Sequence, residues 1–221
     1  VVSTAEEERK SQVSPLLGSV RSEKQLARVI AGNLRRCYRY DGVYANVTPG
    51  ASKYRDYYFE WFSQEPPLAQ PDVDILVVHM GDLVGIELKY FKLQTGQFKR
   101  SYYEGIGQAL ALLRYGFDYV QLWHCFDQEV EPTQVTRFVE NTGDLINKLK
   151  LPVGHASLRL LKQEHDVSAN EMHVVAGQIY DSDKPPDIRR FQTETRNPLR
   201  EQVEAKRMRE FIQHVLRIPQ T

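Results

Sequence analysis

Several things are scarce in this sequence. Two cysteines, Cys37 and Cys125, occur in 221 residues. That is too few for a disulfide framework, and their spacing is not that of a structural zinc site. Neither sign of charge is in excess, since 29 Lys and Arg face 29 Asp and Glu. A protein that coats duplex nucleic acid without selectivity is usually basic, so any contact with nucleic acid here is expected to be local. No apolar run approaches the roughly 20 residues that a membrane-spanning helix needs. No signal-peptide pattern opens the sequence, and the expectation is an intracellular protein. Internal repeats and low-complexity tracts are also missing, which excludes solenoids and arrays.

What is present fits a globular protein: 41% of residues are hydrophobic and 26% charged. The densest signal is residues 71–89, Pro-Asp-Val-Asp-Ile-Leu-Val-Val-His-Met-Gly-Asp-Leu-Val-Gly-Ile-Glu-Leu-Lys. Two short apolar runs rich in β-branched residues flank Met80-Gly81-Asp82 and predict a β-hairpin. A turn centred near Met80-Gly81 sets Asp74 opposite Glu87. Glu87 and Lys89 share a face because strand side chains alternate with period two. Opposed residues of antiparallel strands have Cα atoms roughly 4.5–5.5 Å apart. Two carboxylates that close repel unless a cation lies between them. Mg²⁺ (or Mn²⁺) suits such a place, because it takes oxygen ligands and keeps waters and phosphate oxygens for its remaining positions. Lys89 is placed to orient a water or to offset charge on a phosphate. The alternative is a surface hairpin whose charges are simply solvated. Asp72 shares strand parity with Asp74, and sequence leaves open which of them faces Glu87.

Asp74 followed by Glu87-Leu88-Lys89 resembles the PD-(D/E)XK motif of the restriction-endonuclease-like nucleases. The arrangement is similar to that of archaeal Holliday junction resolvases. The resemblance implies an α/β fold with a core of helix, three strands, helix and strand, in which a mixed central sheet is flanked by helices. It implies a metal-dependent nuclease that cleaves DNA, with branched DNA and RNA left open as substrates. Asp74 and Glu87 would ligate the metal and Lys89 would serve catalysis. Many such proteins carry an acid on the first helix that reaches the metal, which points to Glu23. Glu23 is equally a first-turn acid favoured by the helix dipole. A polar residue on the helix after the hairpin often supports the site, which points to Gln108. The Gln-x-x-x-Tyr form of the RecB-like branch is not followed. Cysteines are too few for the iron–sulfur cluster of other relatives.

The rest of the chain is read around that core. Residues 1–20 are expected to form a flexible arm, 21–130 the nuclease core, and 131–221 an extension. Ser22-Glu23-Lys24-Gln25 is a capping box opening a helix with Leu26, Val29, Ile30, Leu34 and Cys37 on its apolar stripe. The aromatic run from Tyr54 to Phe62 is expected to lead into or form the first strand. Its rings suit either base stacking or a core. Beyond Lys89 lie Lys92, Lys99, Arg100 and Tyr102 with no acid among them, a candidate phosphate-backbone and stacking surface. Ser101-Tyr102-Tyr103-Glu104 reads as a second capping box before a helix carrying Gly105 and Gly107, expected to pack closely on the sheet. Residues 119–126 read as a strand whose His124 is expected to be core or hydrogen-bonded. Residues 132–150 read as a helix. Residues 153–161 and 171–180 read as strands about a turn near Ser168-Ala169-Asn170. Asn197-Pro198 is expected to cap a final helix with an apolar face from Leu199 to Val215. That face, together with the two sites needed to cut both strands of a duplex, leads to the expectation of a homodimer. The competing functions are a nucleic-acid-binding module that does not cut and an assembly subunit using the aromatic run and last helix.

Overall fold

The computed structural model describes residues 20, 22–49, 54–63, 72–93, 101–160, 179–181, 185, 187–191 and 196–218. The arm at 1–19, Lys99, Arg100 and the turn near 168–170 lie outside them. The described elements run α1 (Glu23–Cys37), β1 (Gly42–Val47), α2 (Arg55–Phe62), β2 (Val73–His79), β3 (Asp82–Phe91) and α3 (Ile106–Leu112). They continue with β4 (Tyr119–Phe126), α4 (Pro132–Lys148), β5 (Gly154–Arg159), β6 (Ile179–Asp181) and α5 (Val203–Leu216).

The six strands form one sheet in chain order, β1-β2-β3-β4-β5-β6. The first three pair antiparallel and the rest parallel, so the sheet is mixed. Helices cover both faces. On one face α1 lays Leu26, Ile30 and Leu34 against Val43, Ile75, Val77, Ile86 and Leu88. On the other, Ile106, Ala109 and Leu112 of α3 and Phe211 and Ile212 of α5 pack on Leu76, Leu83 and Leu122. Phe138 of α4 closes a smaller cluster over Phe91 and Phe126. The chain is an α/β protein in which the strands after residue 130 extend the sheet begun before it.

The hairpin that carries the motif is fixed by its turn. Met80 (φ 50°) and Gly81 (φ 82°) are both left-handed. Positive φ at both central residues is the two-residue turn whose twist matches antiparallel strands. Asp41 holds the non-glycine member by accepting the Met80 N–H at 2.6 Å. The register follows, with His79 opposite Asp82 and Ile75 opposite Ile86. Gly85 has a separate role. A Cβ there would stand 2.4 Å from the Phe117 ring, so the strand is shaved to admit it. Gly85→Ala should lower stability by about 1–3 kcal/mol through overpacking. A shift in the denaturant midpoint measures this, and combining the change with Phe117→Leu should recover part of the loss.

Four expectations need correction. The aromatic run is a helix, α2, and the first strand is Gly42–Val47. Aromatic density resembles strand composition, but Tyr58 and Phe62 are four apart and pack on Phe211 at 5.3 and 5.5 Å between ring centroids. Helical spacing to one tertiary partner overrides composition. The second capping box caps no helix: residues 102–105 form a turn, and Gly105 (φ 87°) stands at the N-cap of α3. Asn197 likewise caps no helix, and α5 starts at Val203. Its amide instead donates to the carbonyls of Leu113 (2.7 Å) and Phe117 (2.9 Å), tying the chain before α5 to the end of α3. Lastly, β6 runs parallel to β5, so the two are not arms of a hairpin.

The apolar face of α5 is taken up by the chain itself. Phe211 and Ile212 are fully buried, while Val203 is 81% exposed. The centre of the face that motivated the homodimer is therefore covered from within.

Candidate active site

Continuing the hairpin register one step beyond Ile75 and Ile86 brings Asp74 across from Glu87. The Leu88 N–H donates to Asp74 Oδ2 at 2.8 Å, across the open end of the hairpin. Asp72 turns elsewhere and meets Lys24 at 3.5 Å. Of the two candidate acids, the structure brings Asp74 to Glu87.

Lys89 lies on the same face of β3 as Glu87, two residues on. Its Nζ is 2.8 Å from Glu87 Oε1 and 3.6 Å from Glu23 Oε2. Glu23 reaches the site from the first turn of α1. The Ser22 side chain accepts the Gln25 N–H and starts the helix there. Glu23 Oε1 also accepts the Tyr90 N–H at 3.2 Å, which fixes the side chain over the end of β3. Four residues singled out in the sequence, Glu23, Asp74, Glu87 and Lys89, are thus assembled in one place.

Burial sets their electrostatics. Glu87 is 3% and Lys89 7% exposed. Desolvation first, and then the neighbouring charge of Asp74, pushes the Glu87 carboxyl up to about 7. Desolvation likewise raises Asp74 to about 6, against the lowering effect of the Leu88 N–H and Lys89. Burial alone would lower the Lys89 ammonium. Its hydrogen bond to Glu87 and the charges of Glu87, Glu23 and Asp74 outweigh that and hold it above its ordinary value. Lys89 is therefore a cation at neutral pH, fit to orient or neutralise and unfit to accept a proton.

These shifts carry a stability prediction. A carboxyl whose folded pKa is raised binds protons more tightly in the folded state, so stability falls as pH rises through the window. For metal-free protein the loss should run between about pH 4 and pH 7, from the ordinary carboxyl range up to the raised values of Asp74 and Glu87. With each pKa unit equal to about 1.4 kcal/mol, the pair should account for on the order of 2 kcal/mol after its coupling and partial hydration are allowed for. Comparing urea unfolding of Glu87→Gln with wild type at pH 5 and pH 8 checks this. The variant should gain on wild type at the higher pH.

Other expected members stand apart. Gln108 is exposed on α3 and has no hydrogen bond to the site carboxylates among the described residues. Lys92 is half-buried, with its Nζ 4.7 Å over the Tyr90 ring. Tyr102 is 40% exposed, and its carbonyl accepts the Thr142 hydroxyl at 2.7 Å.

The structure adds a group that the sequence did not pair. His124 is fully buried and sits beside Lys89 in the β3–β4 register. His124 Nε2 is 3.0 Å from the Glu104 carbonyl, and His155 Nε2 is 3.2 Å from His124 Nδ1. A carbonyl can only accept, so His124 donates through Nε2 and accepts at Nδ1 from His155. Desolvation, then the neighbouring ring of His155, holds His124 well below the usual histidine range, and desolvation lowers His155 to about 4. Both rings are neutral at pH 7. They are 31 residues apart, and only the parallel pairing of β4 with β5 brings them together.

The donor set fits a hard divalent cation. Asp74 Oδ1 and Glu87 Oε2 take part in no hydrogen bond or ion pair among the described residues. No cluster of three or more His, Cys, Asp or Glu suited to a metal occurs among the described residues. A two-carboxylate site matches the way Mg²⁺ is held, with waters and substrate oxygens completing the shell. Among the described residues no helix is long and apolar enough to cross a membrane.

The fold and this cluster define an α/β protein with a paired-carboxylate and lysine site at the open end of a hairpin. No family model, curated protein or solved structure matches the chain.

Proposed function

We propose that the protein is a metal-dependent nuclease of the restriction-endonuclease-like kind that hydrolyses DNA phosphodiester bonds. One observation carries this reading: Asp74, Glu87 and Lys89 converge from a single hairpin into a largely buried spot where both carboxyls are raised and the lysine is charged. A merely structural hairpin has no use for two such carboxylates, since each is costly to desolvate and they repel one another.

Asp74 and Glu87 would hold Mg²⁺ or Mn²⁺. When bound, such an ion polarises the phosphodiester and lowers the pKa of a water. The chain's own residues do the rest. Asp74 is locked by the Leu88 N–H and Glu87 by Lys89, so neither must reorganise to present its other oxygen. Lys89 Nζ, set between Glu87 and Glu23, orients the attacking water and offsets negative charge gathering on the phosphate. In the net step the water oxygen bonds to phosphorus, the bond from phosphorus to the leaving sugar oxygen breaks, and a proton from the water ends on that oxygen. Glu23, whose Oε2 is 3.6 Å from Lys89 Nζ, is a second carboxylate on the lysine and serves as its orienter. Gln108, exposed on α3, has no part in this scheme.

The test is incubation with labelled DNA with and without Mg²⁺. Lys92, Lys99 and Arg100 supply the backbone contacts in this reading. Replacing all three with alanine should weaken DNA binding and reduce the salt slope by up to about 3, since each phosphate contact releases roughly one counterion. Titrations at several salt concentrations check it, and an unchanged slope would move the binding surface elsewhere.

A further inference from the structure

The charges that hold Lys89 act only at the tip of its side chain. Glu87 and Glu23 both lie toward its Nζ, while its methylene stem crosses the sheet face beneath the 102–105 turn. That turn touches it closely. A Cβ on Gly105 would stand 2.9 Å from Lys89 Cγ, 3.2 Å from Lys89 Cε and 2.8 Å from Leu122 Cδ1. The bare Cα of Gly105, at φ 87°, is what lets the turn sit so low.

A buried structure keeps the turn there. The carbonyl of Glu104, the residue before Gly105, takes the His124 Nε2–H at 3.0 Å, and His155 fixes the tautomer of His124 from the other side at 3.2 Å. Phe91 and Phe138 clamp the His124 ring edge-on, at 5.2 Å each. On the outer side the Tyr102 carbonyl takes the Thr142 hydroxyl at 2.7 Å, which ties the same turn to α4. A packed leucine would fill the space of His124 at lower desolvation cost but would leave the Glu104 carbonyl without this partner.

We propose that the His155–His124–Glu104 chain is a positioning device that presses the turn at Gly105 onto the stem of Lys89 and so fixes its ammonium between Glu87 and Glu23. The proposal rests on the reading of Lys89 as the lysine of a nuclease site. His124 and His155 are positioning residues and touch neither metal nor substrate. His155 sets the ring of His124, His124 sets the turn, and the turn sets the lysine.

Two readouts separate the device from the activity. The first needs no catalysis: competitive acetylation followed by mass spectrometry compares Lys89 with the exposed, distant Lys148. In wild type Lys89 should be strongly protected. In His124→Leu its labelling should rise about tenfold relative to Lys148, as local opening of the turn exposes it. His124→Gln, which keeps an N–H donor for Glu104, should restore most of the protection. Gly105→Ala leaves both histidines intact and should also release Lys89, because its Cβ lifts the turn. The second readout is Mg²⁺-dependent DNA cleavage. The releasing variants should lose on the order of 10–100-fold in kcat with KM nearly unchanged, since misplacement of a catalytic group acts on the transition state.

Folded His124→Leu and Gly105→Ala proteins, as shown by circular dichroism, that keep Lys89 protected would overturn the proposal. Release of Lys89 with wild-type kcat would overturn it as well. A wild-type protein that cuts no DNA would overturn the nuclease reading instead, and acetylation would still decide whether the chain holds the lysine.

Discussion

Lys89→Ala is expected to abolish most cleavage while leaving DNA affinity within about twofold of wild type. Lys89 is 7% exposed and its ammonium is engaged by Glu87 and Glu23, so it is poorly placed to attract a distant polyanion. In the proposed reaction its charge acts at the phosphate, where negative charge grows only in the transition state. Loss of one such preorganised electrostatic group typically costs about 10²–10³ in rate. Lys89→Arg should not rescue it, because a planar fork does not fit the narrow space beneath Gly105. Single-turnover cleavage and a separate binding titration in Ca²⁺ distinguish the two effects. Equal loss of affinity and rate would mean that Lys89 serves binding and the catalytic assignment is wrong.

The second large effect concerns stability. Asp118 is 2% exposed and lies just before β4, at the other end of β3 from Glu87. Its carboxylate accepts from the Leu83 N–H at 2.8 Å, Arg200 Nη1 at 2.7 Å and Arg209 Nη1 at 2.5 Å. Its backbone N–H meets the Leu83 carbonyl, and its carbonyl takes the Asn197 N–H. One residue therefore joins β3, the turn before β4, the 196–200 segment and α5. Asp118→Ala would leave Arg209 without this carboxylate, Arg200 with only the exposed Glu201, and a buried N–H without its acceptor. Removing one partner from a buried ion pair costs about 3–5 kcal/mol. Both arginine side chains reach solvent to some extent, 28% and 22% exposed. The expected loss is accordingly near the lower end, about 3 kcal/mol, read from denaturant unfolding. Arg200→Met with Arg209→Met, which removes both cations while keeping Asp118, should also destabilise, because it strands the carboxylate.

The site was legible in the sequence to an unusual degree for local reasons. Asp74, Glu87 and Lys89 belong to one hairpin, and the Met80-Gly81 turn fixes their register within 16 residues of chain. Strand periodicity then decides the face. Glu23 was legible because Ser22 and Gln25 mark where its helix begins. What was not legible depends on contacts between distant segments. The partners of Asp118 lie 82 and 91 residues away, and no local pattern links them. His124 meets His155 only through the order of parallel strands. The aromatic stretch at 54–62 misled because composition favoured a strand, whereas its partner is Phe211 on the last helix. Ser101-Tyr102-Tyr103-Glu104 has the letters of a capping box, but the Glu104 carbonyl is claimed by His124 and Gly105 turns the chain before α3 begins. Of the two glycines expected to pack closely, Gly105 does, while a Cβ on Gly107 would meet nothing within 4 Å.

We have proposed that Asp74, Glu87 and Lys89 make a metal-dependent nuclease site. The most direct measurement is the cleavage of end-labelled single-stranded, duplex and branched DNA by wild type, Asp74→Asn and Glu87→Gln, each with Mg²⁺ and with EDTA. Wild type is expected to cut at least one of these substrates with Mg²⁺ and none with EDTA, and both folded variants are expected to lose cleavage under every condition. Cleavage that persists in EDTA or survives both substitutions would contradict it, as would a folded wild-type protein that cuts none of the three substrates with Mg²⁺ or Mn²⁺.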